Sequence, residues 1–182
     1  MIIIGITGTL GSGKGTVVEY LKAKGFKHYS MSGFITVEIK RRGLPVSRDT
    51  MTEVANDLRA RYSPSYIAES LCAEAKGVGQ DAVIESIRAE GEIKALRREP
   101  NFILLAIDAD QAIRYQRITT RGSEKDHISF EKFQADEARE FSSTDPTKQN
   151  LSRCIALADH KLMNNGTVGE LYAQVDEILK II

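Results

Sequence analysis

Residues Gly8, Thr9, Leu10, Gly11, Ser12, Gly13, Lys14, Gly15 and Thr16 put four glycines, a lysine and small hydroxyl side chains into nine consecutive positions. Glycines let a backbone curl so that successive N–H groups converge on an anion, and a lysine at the end of such a curl is a mobile cation for outer phosphates. A plain turn with a solvated lysine has the same composition, so the flanks decide. The apolar run Ile2-Ile3-Ile4-Gly5-Ile6 leads directly in and reads as a fully buried strand. Lys14–Lys24 leads out as a helix, with Val17, Val18 and Leu21 at helical spacing and Gly25 closing it. That helix points its free N–H groups and positive dipole end at the loop. Strand, glycine loop and helix together are the setting of a phosphate-binding P-loop. All nine residues are therefore nucleotide-binding candidates, with Lys14 also a catalytic one and Thr16 a metal candidate.

A second group follows the apolar stretch Asp81–Glu85: Glu85-Ser86-Ile87-Arg88. Ligands of open α/β sheets bind outside the carboxyl ends of the strands. A carboxylate there can accept from Mg²⁺-bound water, and an arginine can clamp a phosphate bidentately. Glu85 is thus a metal candidate and Arg88 a catalytic one; an ordinary surface ion pair is the other reading. Arg114, Arg117 and Arg121 lie three and four residues apart and share a helical face, by default a solvated one. Arg139 stands in Asp136–Glu140. His28, His127 and His160 show no common spacing and read as surface or structural residues. Lys40-Arg41-Arg42 with Arg48 reads as a solvated helix end or as an aid to an anionic acceptor.

The whole chain bounds these readings. Its 182 residues suit a single domain, 42% hydrophobic and 27% charged. Lys+Arg and Asp+Glu balance at 25 each, so there is no general basic field for nucleic acid or membrane. Cys72 and Cys154 have no metal-ligand spacing and read as reduced thiols. The first apolar run is too short for a signal sequence, and no stretch approaches a membrane span. The expectation is a cytoplasmic protein, monomer or homodimer, whose partner is a small-molecule nucleotide acceptor.

Apolar runs alternating with amphipathic stretches predict a parallel sheet covered by helices. Strands are expected at Ile2–Ile6, Phe26–Met31, Asp81–Glu85, Phe102–Ile107 and Lys161–Met163. Helices are expected at Phe34–Arg42, from a Thr50/Glu53 capping box to about Arg61, from Ser63-Pro64 to Ala75, and from Asp108 or Asp110 to Gly122. Further helices are expected at Ser129–Phe141, at Leu151–Ala158 and from the Thr167/Glu170 capping box onward. The successive helices within 33–77 form an insertion beside a core of 1–32, 78–120 and 142–182, and 121–141 forms the lid region.

GxxGxGKGT, with Gly15 between the lysine and the hydroxyl of Thr16, resembles the adenylate-kinase and nucleoside-monophosphate-kinase branch of P-loop proteins. No GTPase NKxD or DxxG and no LSGGQ is present. The resemblance implies a three-layer α/β sandwich with about five parallel strands, a helical acceptor-binding insertion and a short lid, and ATP with Mg²⁺ as donor. ESIR loosely resembles that branch's acidic-Gly-x-Arg stretch. The helix carrying Arg117 and Arg121 stands where the family's arginine helix enters a lid, here Ser123–His127, and Arg139 stands where another phosphate-facing arginine follows it. Ala158–Leu171 (ADHKLMNNGTVGEL) resembles a stretch of dephospho-CoA kinases and related predicted nucleotide kinases. There Asn165-Gly166 would lie by the donor adenine; a strand-to-helix turn is the alternative.

One departure bears on the acceptor. Transfer to a hydroxyl gains from a carboxylate base, and dephospho-CoA kinases carry an acidic segment after the second strand. Here that segment is Ser30-Met31-Ser32-Gly33. A nucleoside or deoxynucleoside monophosphate needs no base, because its phosphate is already ionised. Gly33 and Thr36 stand where the family's Asp and Arg would, so two alternatives remain: dephospho-CoA-like transfer to a hydroxyl, and an ATP-binding regulator or assembly factor with slow hydrolysis.

Overall fold

The computed structural model describes residues 1–121, 128–145 and 148–182. Five parallel strands form one sheet: β1 (Ile3–Gly8), β2 (Lys27–Ser30), β3 (Ala82–Glu85), β4 (Phe102–Asp108) and β5 (His160–Met163), in the order β2-β3-β1-β4-β5. The inner strands are continuous Ile/Val/Leu runs because helices cover both faces, as parallel sheets require. The pleat sends neighbours to opposite faces. Ile3, Ile84 and Leu104 pack on one side, Ile4, Val83 and Leu105 on the other.

The second of these faces is closed by α1 (Lys14–Ala23) and α9 (Val168–Leu179), through Val17, Leu21, Leu171, Val175 and Ile178. The first is closed by α2 (Met31–Arg41), α3 (Arg48–Arg61), α4 (Tyr66–Val78), α5 (Glu90–Leu96) and α8 (Leu151–Ala156). α6 (Gln111–Arg121) and α7 (Phe130–Phe141) are joined by contacts among Tyr115, Phe130 and Phe133. The strand order turns at β1, so the carboxyl ends of β1, β3 and β4 converge on a switch point. Register puts Ile6 beside Glu85 and Gly8 beside Ile107.

The expected elements are present, with local corrections. β2 stops at Ser30 because its Oγ accepts from Gly33 N and caps α2. α3 starts a turn early: Ser47 is the cap, exchanging bonds with Thr50, so Thr50 is the third helical residue and not the start. α4 begins at Tyr66 and runs through Gly77 to close at Gly79, φ 75°. α5, between β3 and β4, is a helix that the periodicity reading passed over. Cys72 and Cys154 are free and buried. Ser123–His127, the expected lid, lies outside the described residues. Among the described residues no helix is long and apolar enough to cross a membrane.

Candidate active site

The glycine loop joins β1 to α1 at the switch point. Three of its glycines have positive φ, Gly8 at 141°, Gly11 at 79° and Gly13 at 99°. Any Cβ there would also collide, at 2.0 Å from Ile107 O, 2.5 Å from Arg114 O and 2.2 Å from Asn164 Nδ2 respectively. At Gly15 a Cβ would meet nothing within 4 Å, so the first turn of α1 is open. The N–H groups of Gly11, Gly13, Lys14 and Gly15 have no acceptor among the described residues, and the buried Ser12 Oγ has no partner. Gly13 caps α1 without a side-chain bond and no acid stands in the first turn. Unpaired donors at a helix N-terminus are the fit test for an anion, and this loop meets it.

Lys14 Nζ donates to Gly8 O at 2.8 Å and Thr9 O at 2.7 Å. Lys14 is half-buried as a residue, but its ammonium is enclosed. Burial, then the charge of Arg88, bring its pKa down to about 7 against the pull of Glu85 and Glu140. A phosphate at the loop would restore the missing counter-charge.

Side chains from distant segments brace the loop. Asn164 Nδ2 donates to Ser12 O at 2.8 Å. Arg114, buried and over the Phe133 ring, donates to Ala109 O (2.8 Å) and Leu10 O (3.2 Å) and pairs with Glu137. Thr9 Oγ1 donates to Asp108 Oδ1 at 2.6 Å. The sequence reading singled out Asn165-Gly166, yet Asn164 is the side chain that reaches the loop; Asn165 Oδ1 accepts from Asp110 N and Gly166 packs on Glu170. Arg114 belongs to the core and not to a solvated face. Arg114 had no local sequence signal, whereas the ADxxIxNxGT pattern that Ala158–Leu171 resembles puts its asparagine on Asn164.

Glu85 ends β3 opposite Ser30. Its carboxylate accepts from Ser30, from Ser86 at 2.5 Å and from Ser32 at 3.4 Å, with His28 Nε2 at 3.8 Å, beyond hydrogen-bond range. Burial pushes the carboxyl up, but the neighbouring His28, the serine hydroxyls and the Lys14 charge outweigh it and hold the pKa at about 2. The acid-free segment after β2 thus serves Glu85 with hydroxyl donors, a link that spacing does not reveal. Thr36 turns back on Ser32 O at 2.8 Å. Among the described residues no group of three or more His, Cys, Asp and Glu is placed to hold a metal.

Arg88 is near enough to Lys14 to depress its pKa, and its guanidinium bonds Glu140 and, at 3.2 Å, Gln149. Arg117 stands beside Asn164 (3.5 Å from Oδ1), with one buried guanidinium nitrogen unpartnered. Arg121 ends α6 at the edge of the described residues. Arg139 reaches Asp49 of α3 at 2.8 Å and Asp136 at 3.5 Å. So Lys14, Glu85 and Arg88 form one cluster, Arg117 lies on the Asn164 side of the loop, and Arg139 bridges α7 to the insertion.

A central β1 flanked by β3 and β4, with a glycine loop opening α1, defines a P-loop α/β domain of the kinase-like kind. The chain belongs to the AAA domain family (AAA_18), whose model matches residues 4–141. It is 29% identical over 185 residues to the UPF0200 protein MJ1399 of Methanocaldococcus jannaschii, covering 100% of this chain and 91% of that one. TT1252 from Thermus thermophilus superposes with TM-score 0.68 at 20% identity over 100% of this chain and 97% of the other. A shikimate kinase from Acinetobacter baumannii, in complex with shikimate, gives 0.65 at 16% identity over 100% and 93%. At such identities these likenesses speak for the fold.

Proposed function

We propose that this chain is an ATP-Mg²⁺-dependent phosphotransferase whose acceptor is a nucleoside or deoxynucleoside monophosphate. The observation that carries the reading is the setting of Glu85, whose carboxylate accepts from the hydroxyls of Ser30, Ser32 and Ser86, donors that favour its ionised form. A base taking a proton from a sugar hydroxyl works best with a pKa near the operating pH. Glu85, kept ionised by these donors and shifted below the usual carboxylate range, is a weak base and is suited to stand beside a metal. A monophosphate oxygen needs no base.

Gly8 to Thr16 would cradle the donor phosphates through backbone N–H groups. Lys14 would leave its two carbonyls for the phosphate oxygens, regaining full charge as it does. Thr16 and Glu85 would hold Mg²⁺, which when bound offsets charge on the donor oxygens. Arg88 would leave Glu140 to clamp the acceptor phosphate. Asn165-Gly166 would lie by the donor base, and Arg117, beside Asn164, would reach the phosphate oxygens. Arg121 and Arg139 would join the phosphates on closure of 121–141, Arg139 by exchanging Asp49. The chain would work as a cytoplasmic enzyme.

The test is incubation with ATP-Mg²⁺ and a panel of nucleoside monophosphates, deoxynucleoside monophosphates and dephospho-CoA. Acceptor-dependent ADP formation with a monophosphate supports the reading; turnover with dephospho-CoA alone reassigns the acceptor. The grip of Glu140 on Arg88 favours a second reading, a nucleotide-binding regulator, which acceptor-independent slow hydrolysis would support.

A further inference from the structure

The loop that carries Arg88 is held in an unfavourable shape. Ser86 has φ 71°, the left-handed region that a non-glycine residue rarely adopts and that marks sites where the surroundings over-determine the backbone. The surroundings here are identifiable. Ile87 N donates to Ile6 O at 3.1 Å, Thr7 Oγ1 to Ile87 O at 2.8 Å, and Asn150 N to Arg88 O at 2.8 Å. The next two amides, Arg88 N and Ala89 N, both donate to Glu92 Oε2 at 2.9 Å.

Glu92 is completely buried, and its other oxygen is taken by Arg59 of α3, through Nε at 2.8 Å and Nη2 at 2.7 Å. The two side chains are 0% and 1% exposed. Two charges removed from water rarely add net stability over an apolar pair, so one retained here calls for another use. α5 meets the insertion a second time at Gly91, where a Cβ would lie 2.8 Å from Pro64 Cβ.

We infer that Arg59 and Glu92 are positioning residues that fix the Arg88 loop to the acceptor-binding insertion, so that Arg88 is aimed at an acceptor phosphate only while α3 is seated. Arg59 orients the carboxylate; the carboxylate clamps two successive amides; the clamped loop aims the guanidinium. Neither residue touches substrate. The inference rests on the reading of Arg88 as the acceptor-phosphate ligand.

The test compares wild type, Arg88→Ala, Arg59→Lys, Arg59→Met and Arg59→Met/Glu92→Leu in the full chain. Thermal unfolding, ATP-Mg²⁺ affinity, steady-state kinetics with the monophosphate panel, and inorganic phosphate binding by calorimetry with the glycine loop saturated by a non-hydrolysable ATP analogue and Mg²⁺ are measured on each. Misaiming one ligand should raise the acceptor KM or the phosphate Kd about tenfold, with kcat and ATP affinity within about twofold. Arg59→Lys should recover part of that loss. The double variant removes both buried charges but leaves the Arg88 and Ala89 amides without their acceptor, so its unfolding temperature should recover only part of the Arg59→Met loss while the acceptor defect stays. An acceptor KM that returns to the wild-type value with stability in the double variant would make the pair merely structural and overturn the inference. If no monophosphate is turned over, but phosphate binding still requires Arg88 and is lost in the double variant, the positioning role stands and the proposed acceptor falls. Phosphate binding indifferent to Arg88 would overturn both.

Discussion

The two halves of the candidate site are built by different means. The proposed donor side is made of backbone: converging N–H groups, three positive-φ glycines and a helix end, all within residues 8–16. The proposed acceptor side is made of side chains drawn from far apart: Ser30 to Glu85, Glu140 to Arg88, Arg139 to Asp49 and Arg59 to Glu92. The loop's own donors lie within nine residues, with Asn164 and Arg114 bracing it from afar. The side-chain set exists only when α2, α3 and α7 are in place, and on the proposed reading it is the part that rearranges for an acceptor.

That contrast can be broken first at Lys14. Lys14→Ala should lower phosphoryl transfer by roughly a thousandfold, the scale of losing one transition-state charge, with an unfolding temperature no lower than wild type, since a buried charge is removed. Near-normal turnover would remove the donor assignment. On the acceptor side, Arg88→Ala should raise the acceptor KM by about a hundredfold and leave ATP affinity alone; a change confined to ATP affinity would merge the two sides into one.

Protons sharpen the comparison. Lys14, at about 7 against an ordinary 10.5, weakens the fold while charged: the cost is complete below pH 7 and fades as pH rises toward 10.5. A bound phosphate favours the charged form, so donor binding should take up a proton above pH 7. Affinity should fall by up to about tenfold per pH unit there. Calorimetry in buffers of different ionisation enthalpy measures this, and Lys14→Arg should abolish it. Glu85 is lowered to about 2, so its contribution to stability is present above pH 4.5 and lost only as pH falls through 2; it should leave no mark on activity near neutrality.

The smallest effect belongs to the strained loop. Ser86→Gly should stabilise the fold by up to about 1 kcal/mol, read as a rise in unfolding temperature, because glycine accepts φ 71° freely. A loss of stability would show that the Ser86 hydroxyl bond to Glu85 outweighs the strain.

The same contrast governs what could be read from sequence. The sheet, its flanking helices and the glycine loop were legible because periodicity and a nine-residue motif are local. Asn164, Arg114 and Glu140 were not, since their partners lie 152, 104 and 52 positions away. Asn165 stands in for Asn164 in the sequence reading because the Asn-Gly pair marks the turn, although the ADxxIxNxGT pattern puts its asparagine one residue earlier. α5 was missed because seven residues behind a tight loop give little more than one period.

The claim that a phosphate, and not a hydroxyl, receives the phosphoryl group is tested most directly by ³¹P NMR of the reaction with ATP-Mg²⁺ and the best acceptor of the panel. The account predicts that the acceptor's own phosphomonoester singlet is consumed and that two nucleoside diphosphates form per ATP used, ADP and the phosphorylated acceptor, with neither change in Lys14→Ala. A new uncoupled phosphomonoester singlet, or inorganic phosphate alone, would contradict it.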